Sequence, residues 1–160
     1  MTEDRDFEDF CRAEYGSVYR ACFAFSGSRD MALDCTQEAF SRAFARWRRL
    51  SKHQWAGGWV MTTALNHARR ALRSTPPERP ASNVEGEPVD LDLQMDVIEA
   101  LRSLSLRQRQ AVVLHYLADL PVGAVAELMN ASEGSVKTHL SRARRTLGTI
   151  LIARQTGGEA

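Results

Sequence analysis

The chain has 160 residues, 44% of them apolar and 26% charged, and a formal net charge of +1. That suffices for one modest core or two small ones and argues against fibrous and membrane classes. No run of about 18 apolar residues exists, and the start, Met1-Thr2-Glu3-Asp4-Arg5-Asp6, is acidic where a secretory signal would be basic and then apolar. A cytoplasmic protein without membrane insertion is expected.

The net charge hides a segregation. Residues 1–73 hold 12 Lys/Arg against 9 Asp/Glu, residues 74–92 hold 1 against 5, and residues 93–160 hold 8 against 6. Two mildly basic blocks flank an acidic connector. A near-neutral chain steers weakly toward phosphates, so any attraction to nucleic acid would have to come from local patches, with low intrinsic affinity.

The first block reads as helical throughout. Phe7, Phe10, Cys11, Val18, Cys22 and Phe25 form one stripe, Ser26-Gly27-Ser28 interrupts it, and Ala32, Cys35, Ala39, Phe40, Ala43 and Trp47 form another. A third helix is expected from about Trp55 or Gly58 to Leu72. Between them, in Arg46-Trp47-Arg48-Arg49-Leu50-Ser51-Lys52-His53-Gln54-Trp55, cations alternate with two tryptophans. Cations hold phosphates and aromatics stack on exposed bases, so this pattern suits opened nucleic acid; taken alone, it suits better Trp47 and Trp55 as core anchors beside a solvated basic face.

Cys11, Cys22 and Cys35 form no C-x-x-C pair and have no clustered histidines, so no metal site and no cofactor is expected. On one helix Cys11 and Cys22 share a face but stand about 16 Å apart, too far for a disulfide. They read as buried reduced thiols, with redox sensing through Cys35 the lesser alternative. Residues 74–92 hold four of the five prolines and read as a linker.

From Leu93 helical period returns with Met95, Ile98, Leu101 and Leu104, then Leu106 and Val112-Val113 leading to Tyr116-Leu117. Val125, Leu128 and Met129 suit a short helix. Asn130-Ala131-Ser132 breaks the pattern, and Val136, Leu140, Ala143 and Leu147 resume it at 4-3-4 spacing. This is a helix-turn-helix. Its second helix presents Ser135, Lys137, Thr138, Ser141, Arg142 and Arg145 opposite the buried stripe, hydroxyls and cations suited to base edges and phosphates in a major groove. Ser132 is its expected N-cap.

These parts, in this order, resemble a group IV, extracytoplasmic-function sigma factor of bacterial RNA polymerase. Asp34-Cys35-Thr36-Gln37-Glu38-Ala39-Phe40-Ser41-Arg42-Ala43-Phe44 is similar to the family's D-x-x-Q-E-x-F-x-x-A-[WF] helix. Trp59-Val60-Met61-Thr62-Thr63-Ala64-Leu65-Asn66 resembles its W-L-x-x-I-A-x-N helix. Leu104-Ser105-Leu106-Arg107-Gln108-Arg109-Gln110-Ala111-Val112 looks like the stretch opening its second domain.

The resemblance implies an all-α chain of two small helical domains: sigma-2 over residues 1–74, an extended acidic linker over 75–92, and sigma-4 with its helix-turn-helix over 93–155. It implies a core-polymerase site at Asp34, Gln37, Glu38, Phe40 and Arg42. Trp55, Trp59, Asn66, Arg69 and Arg70 would meet the −10 element, with Asn66 reading an extruded base. Lys137, Thr138, Ser141, Arg142, Arg144 and Arg145 would meet the −35 element, Arg142 by a bidentate contact with guanine and Arg144 and Arg145 on phosphates. The implied partners are core RNA polymerase, through the clamp region of β′ and the β flap, promoter DNA and an anti-sigma factor.

Thr62 and Leu65 stand where the family often has basic residues, which predicts a less cationic −10 surface. His139 replaces a common Arg, and Gly123 lies inside a helix where relatives often have Glu. The chain ends soon after Leu151, so no further C-terminal sensory domain is expected. No nucleophile, carboxylate pair or phosphate-binding glycine loop is present, so no catalysis is expected. Two alternatives remain open at this point: a stand-alone helix-turn-helix regulator, and a sigma mimic that titrates an anti-sigma factor.

Overall fold

The computed structural model describes residues 2–74 and 95–157, and the expected linker at residues 75–92 lies outside them. All regular structure among the described residues is helical. The elements are α1 (Thr2–Ser26), α2 (Arg29–Ala45), α3 (Trp47–Leu50), α4 (Ala56–Ser74), α5 (Met95–Arg102), α6 (Leu106–Val112), a π-helical turn (Val113–Leu117), α7 (Val122–Met129) and α8 (Glu133–Gly157).

In the N-terminal half, α1, α2 and α4 pack into a bundle around Val18, Cys22, Phe25, Cys35, Val60 and Leu65. Small residues at the contacts, Ala21, Ala24, Ala32, Ala39, Ala43, Ala64 and Ala68, bury almost all of their surface and let the helices approach closely. The expected break after Ser26 is a sharp turn. Gly27 takes φ +70°, a left-handed conformation that costs glycine little, and Ser28 then accepts a hydrogen bond from the Met31 amide at 3.2 Å to start α2.

At the far end, Phe7 meets Phe44 at a tilt and Trp47 edge-on, with ring centroids 5.1 and 5.3 Å away, and Phe10 meets Trp47 at 4.9 Å. Trp47 is therefore an anchor between α1 and α3. Of the two tryptophans that alternate with the cations, Trp47 packs against the core, and Trp55 is half-buried outside it.

The C-terminal half builds α6 and α7 against α8, whose inward residues are Val136, Leu140 and Ala143. Asn130, at φ 53°, ends α7, and Ser132 accepts from the Ser135 amide at 3.0 Å to cap α8, as the sequence predicts. The π-helical turn has no sequence signal. It widens the chain at Val113–Leu117, and Asp119, also left-handed at φ 55°, redirects it into α7.

The halves do not stand apart. Their buried apolar residues form one continuous core. Gly58 on α4 lies in this contact: a Cβ there would stand 2.8 Å from Leu128 Cδ1 and 3.2 Å from Leu120 Cδ1, so a side chain at this position would displace the tips of both leucines. The sequence, with its proline-rich connector, carries no indication of this contact.

Candidate functional site

On α2, the buried stripe leaves Asp34, Gln37, Glu38 and Arg42 along the opposite side. Asp34, Gln37 and Arg42 are exposed and Glu38 is half-buried. Their spacing of about one turn aligns them on one face. Arg42 donates to Glu38 at 2.9 Å, and Asp34 lies 3.4 Å from the His67 imidazole of α4, an ion pair when that ring is protonated. This face carries two acidic groups, each with a basic neighbour, Asp34 with His67 and Glu38 with Arg42. Phe40 does not belong to it: it is 6% exposed and packs against Phe10 and Tyr15, so it supports the face from beneath and offers no docking surface itself.

Trp55, Trp59, Asn66 and Arg69 are half-buried along α4 and its entry, and Arg70 is exposed. Arg46 sits over the Trp59 ring, 5.8 Å from its centroid, beside a cleft of about 440 Å³ lined by Arg46, Arg48, Arg49, Leu50, His53 and Trp59. An aromatic wall with guanidinium groups at its rim suits a base with its phosphate. Burial, and then the neighbouring Arg107, Arg73 and Arg70, lower the Arg69 pKa from its ordinary value. Such a concentration of like charge favours an anionic partner.

Thr62 and Leu65 do not lower the charge of this surface. They are 5% and 0% exposed, because α4 turns them toward the interior. Nor is Asn66 free: its side-chain oxygen accepts a hydrogen bond at 2.9 Å from Nε2 of Gln110, on α6. Gln110 carried no role in the sequence reading. Its position on the Leu106, Gln110, Val113 stripe, an amide among core residues, was the available signal.

On α8, Lys137, Thr138, Ser141, Arg142, Arg144 and Arg145 are all exposed, and the groups closest to the capped N-terminus lie where the helix dipole favours phosphate. Thr138 donates its hydroxyl to the Gly134 carbonyl at 2.9 Å, leaving its oxygen as an acceptor outward. Arg144 donates to the Tyr116 hydroxyl at 2.8 Å, which holds it against the π-helical turn. His139 is half-buried; burial, then Arg107 and Arg142, push its pKa down, so it is neutral at physiological pH and adds no phosphate charge.

Residues 10–76 match the family model for sigma-70 region 2, and residues 94–147 match that for sigma-70 region 4. The chain belongs to the sigma-70 family, in its extracytoplasmic-function group. Among its relatives, this sigma-70 chain is 32% identical over 151 residues to the ECF RNA polymerase sigma factor BldN of Streptomyces coelicolor, covering 84% of the chain and 56% of BldN. It is 27% identical over 169 residues to the RNA polymerase sigma-E factor of the same organism, covering the whole chain and 94% of that protein. The fold matches that of the sigma factor RpoE from Bartonella quintana, solved with the anti-sigma factor NepR, at TM-score 0.73 and 23% identity over 92% of this chain and 97% of that one. It also matches CnrH, solved with the cytosolic domain of CnrY, at TM-score 0.72 and 20% identity over 94% and 90%.

The thiols contribute nothing to these surfaces. Burial first, then Cys35, pushes the Cys22 thiol up to about 12, and burial followed by Asp34 does the same for Cys35. Both stay protonated when the unfolded chain would ionise them above pH 9, so the folded state loses stability as pH rises from there toward 12. At pH 8 an alkylating reagent is expected to modify only the partly exposed Cys11 in native protein and all three cysteines in denaturant, as read by intact mass. Native modification of Cys35 would revive the redox reading. No helix among the described residues is long and apolar enough to cross a membrane.

Proposed function

We propose that this sigma-70 chain is a dissociable specificity subunit of bacterial RNA polymerase that selects promoters through paired −10 and −35 contacts and helps open them. The carrying observation is the joint presence of the charged α2 face and the exposed, N-capped α8 face on one polypeptide. In this reading residues 1–74 dock on the polymerase clamp through Asp34, Gln37, Glu38 and Arg42 and meet the −10 strand through Trp55, Trp59, Asn66, Arg69 and Arg70. Residues 93–155 hold −35 duplex through Lys137, Thr138, Ser141, Arg142, Arg144 and Arg145 and contact the β flap. Residues 75–92 join the two. The protein works in the cytoplasm and catalyses nothing itself; polymerase does the chemistry.

An anti-sigma factor is the further partner proposed. Support comes from fold kinship with RpoE, which was solved with the anti-sigma factor NepR bound.

Run-off transcription with purified core polymerase and this protein on a genomic fragment library tests the reading. Defined start sites preceded by a shared −35/−10 pair are the expected result. Binding to core polymerase without initiation, or no binding, would overturn it in favour of a mimic or a stand-alone regulator.

A further inference from the structure

A row of cations runs along α4, α6 and α8 with no counter-ion of its own. The 2.9 Å hydrogen bond from Gln110 to Asn66 sets α6 against α4. One turn from that bond, on α6 and α4 respectively, stand Arg107 and Arg69, both half-buried, and Arg70 and Arg73 follow, exposed, toward the end of α4. Arg107 lies close to α8 as well, where His139 is half-buried and Arg142, one turn on, is exposed.

Arg107 is the fixed point of this row. It donates to the Met129 carbonyl at 3.2 Å, a bond across 22 residues that holds its guanidinium in place at the end of α7. A guanidinium has five N–H donors, so most of this fork remains available to a ligand.

The protein does not neutralise these groups from within. Among the described residues, the ion pairs involve Arg12, Arg42, Arg48, His53 and His67, and no carboxylate pairs with Arg69, Arg70, Arg73, Arg107 or Arg142. Arg69 Nε and His139 Nδ1 are buried without a hydrogen-bond partner. Burial first, and then Arg107, lower the pKa of both Arg69 and His139, so the charged forms are disfavoured where they stand. A bound anion would reverse that penalty.

The extent of the row selects the kind of anion. A carboxylate brings one negative charge, whereas linked phosphate groups carry several in one short ligand, and each offers oxygens that a guanidinium fork takes up in pairs. We propose that this row is a binding site for an oligophosphate anion, two or more linked phosphate groups held centrally by Arg107, with Arg69 and Arg73 on one side and Arg142 on the other. Arg107 has no place among the proposed promoter contacts. The site shares Arg69 and Arg142 with them, so its occupant would withhold both from DNA; that consequence rests on the promoter reading, and the binding does not.

Calorimetric titration of the full chain with inorganic tripolyphosphate at physiological salt tests the site. Saturable binding of one anion per chain is expected, with orthophosphate much weaker. Arg107→Gln is expected to weaken tripolyphosphate about tenfold or more, the loss of a charge-assisted contact, and Arg107→Lys to fall between. Arg48→Gln removes the same charge from the separate basic cleft beside Trp59 and should bind as wild type does. If Arg107→Gln does not fold, as judged by circular dichroism, the exposed Arg73→Gln replaces it, with a severalfold loss expected. A nucleoside triphosphate that binds more tightly than tripolyphosphate would assign the ligand to a nucleotide, and equal affinity would assign it to the phosphates alone.

No saturable binding by wild type, equal losses in Arg48→Gln and Arg107→Gln, or unchanged binding in folded Arg107→Gln or its replacement would each overturn the site. So would an Arg107→Gln variant that loses affinity for a duplex oligonucleotide of unrelated sequence as much as for tripolyphosphate, because Arg107 would then be a DNA phosphate contact. Failure of the wild-type holoenzyme to initiate in the run-off experiment would instead overturn the sigma reading and leave the titration result standing.

Discussion

Arg109→Ala is expected to lower the stability of the folded chain by about 3 kcal/mol, measured by chemical denaturation at pH 7. The guanidinium bonds three carbonyls at once, those of Phe25 at 2.8 Å, Arg102 at 3.1 Å and Leu104 at 3.2 Å. Truncation leaves all three without that donor in a largely water-free site, and each unsatisfied buried acceptor costs roughly 1–3 kcal/mol, less than additively because they share one neighbourhood. Burial first, and then Arg102, push the Arg109 pKa down to about 10, so the group stays charged at neutral pH and bears a desolvation cost that the carbonyls offset.

The sign of that shift fixes a pH dependence. A base whose folded pKa lies below its unfolded value penalises the folded state while both forms are protonated. The penalty is relieved as pH rises from about 10 toward the ordinary guanidinium range, the opposite direction to the two buried thiols. Arg109→Lys retains the charge but cannot address three acceptors with one rigid fork, and is expected to fall between wild type and alanine. A loss below 1 kcal/mol for the alanine variant would mean that the carbonyls find water and that Arg109 does not anchor the two halves.

Arg142→Ala is expected to reduce transcription from −35-dependent promoters by about 10- to 100-fold, with little change on a promoter whose −35 element is already mutated. A bidentate arginine–guanine contact contributes about 1–3 kcal/mol of discrimination. Arg142 is exposed two turns into a helix whose N-terminus is capped by Ser132, with Lys137 and Thr138 on the turn before it. Arg145→Ala, by contrast, should weaken all promoters alike and flatten the salt dependence, as loss of a phosphate contact does. Equal loss for Arg142→Ala on both promoter types would assign it to phosphate as well.

The expectations that the structure reproduces are those governed by neighbours in sequence. Alternation of apolar residues at helical spacing placed α1, α2 and α8, and the breaks at Gly27 and Asn130 follow from residues that tolerate left-handed backbone. Which side chains on α8 face solvent is set by the same 3.6-residue period, so the exposed set from Lys137 to Arg145 was legible in advance. The α4 surface was not. Thr62 and Leu65 sit in the family's W-L-x-x-I-A-x-N stretch at positions that suggest a basic surface, yet both are buried, and Phe40 underlies the α2 face it was expected to share. A motif specifies residue types along the chain and is silent on which neighbour each one meets.

What the sequence determined by itself is therefore the all-α class, the Ser132 cap of α8 and the identity of the charged helix faces, because these depend on contacts within about one helical turn. What only the tertiary structure decided is the use of those faces in the free chain: Gln110 reaches Asn66 across 44 residues and Arg109 reaches Phe25 across 84. Such pairings come with two leucines packed on a glycine, a π-helical turn in the backbone and a helix end whose carbonyl accepts from an arginine of the other half. Each is a consequence of packing between segments distant in sequence, and no local period encodes it.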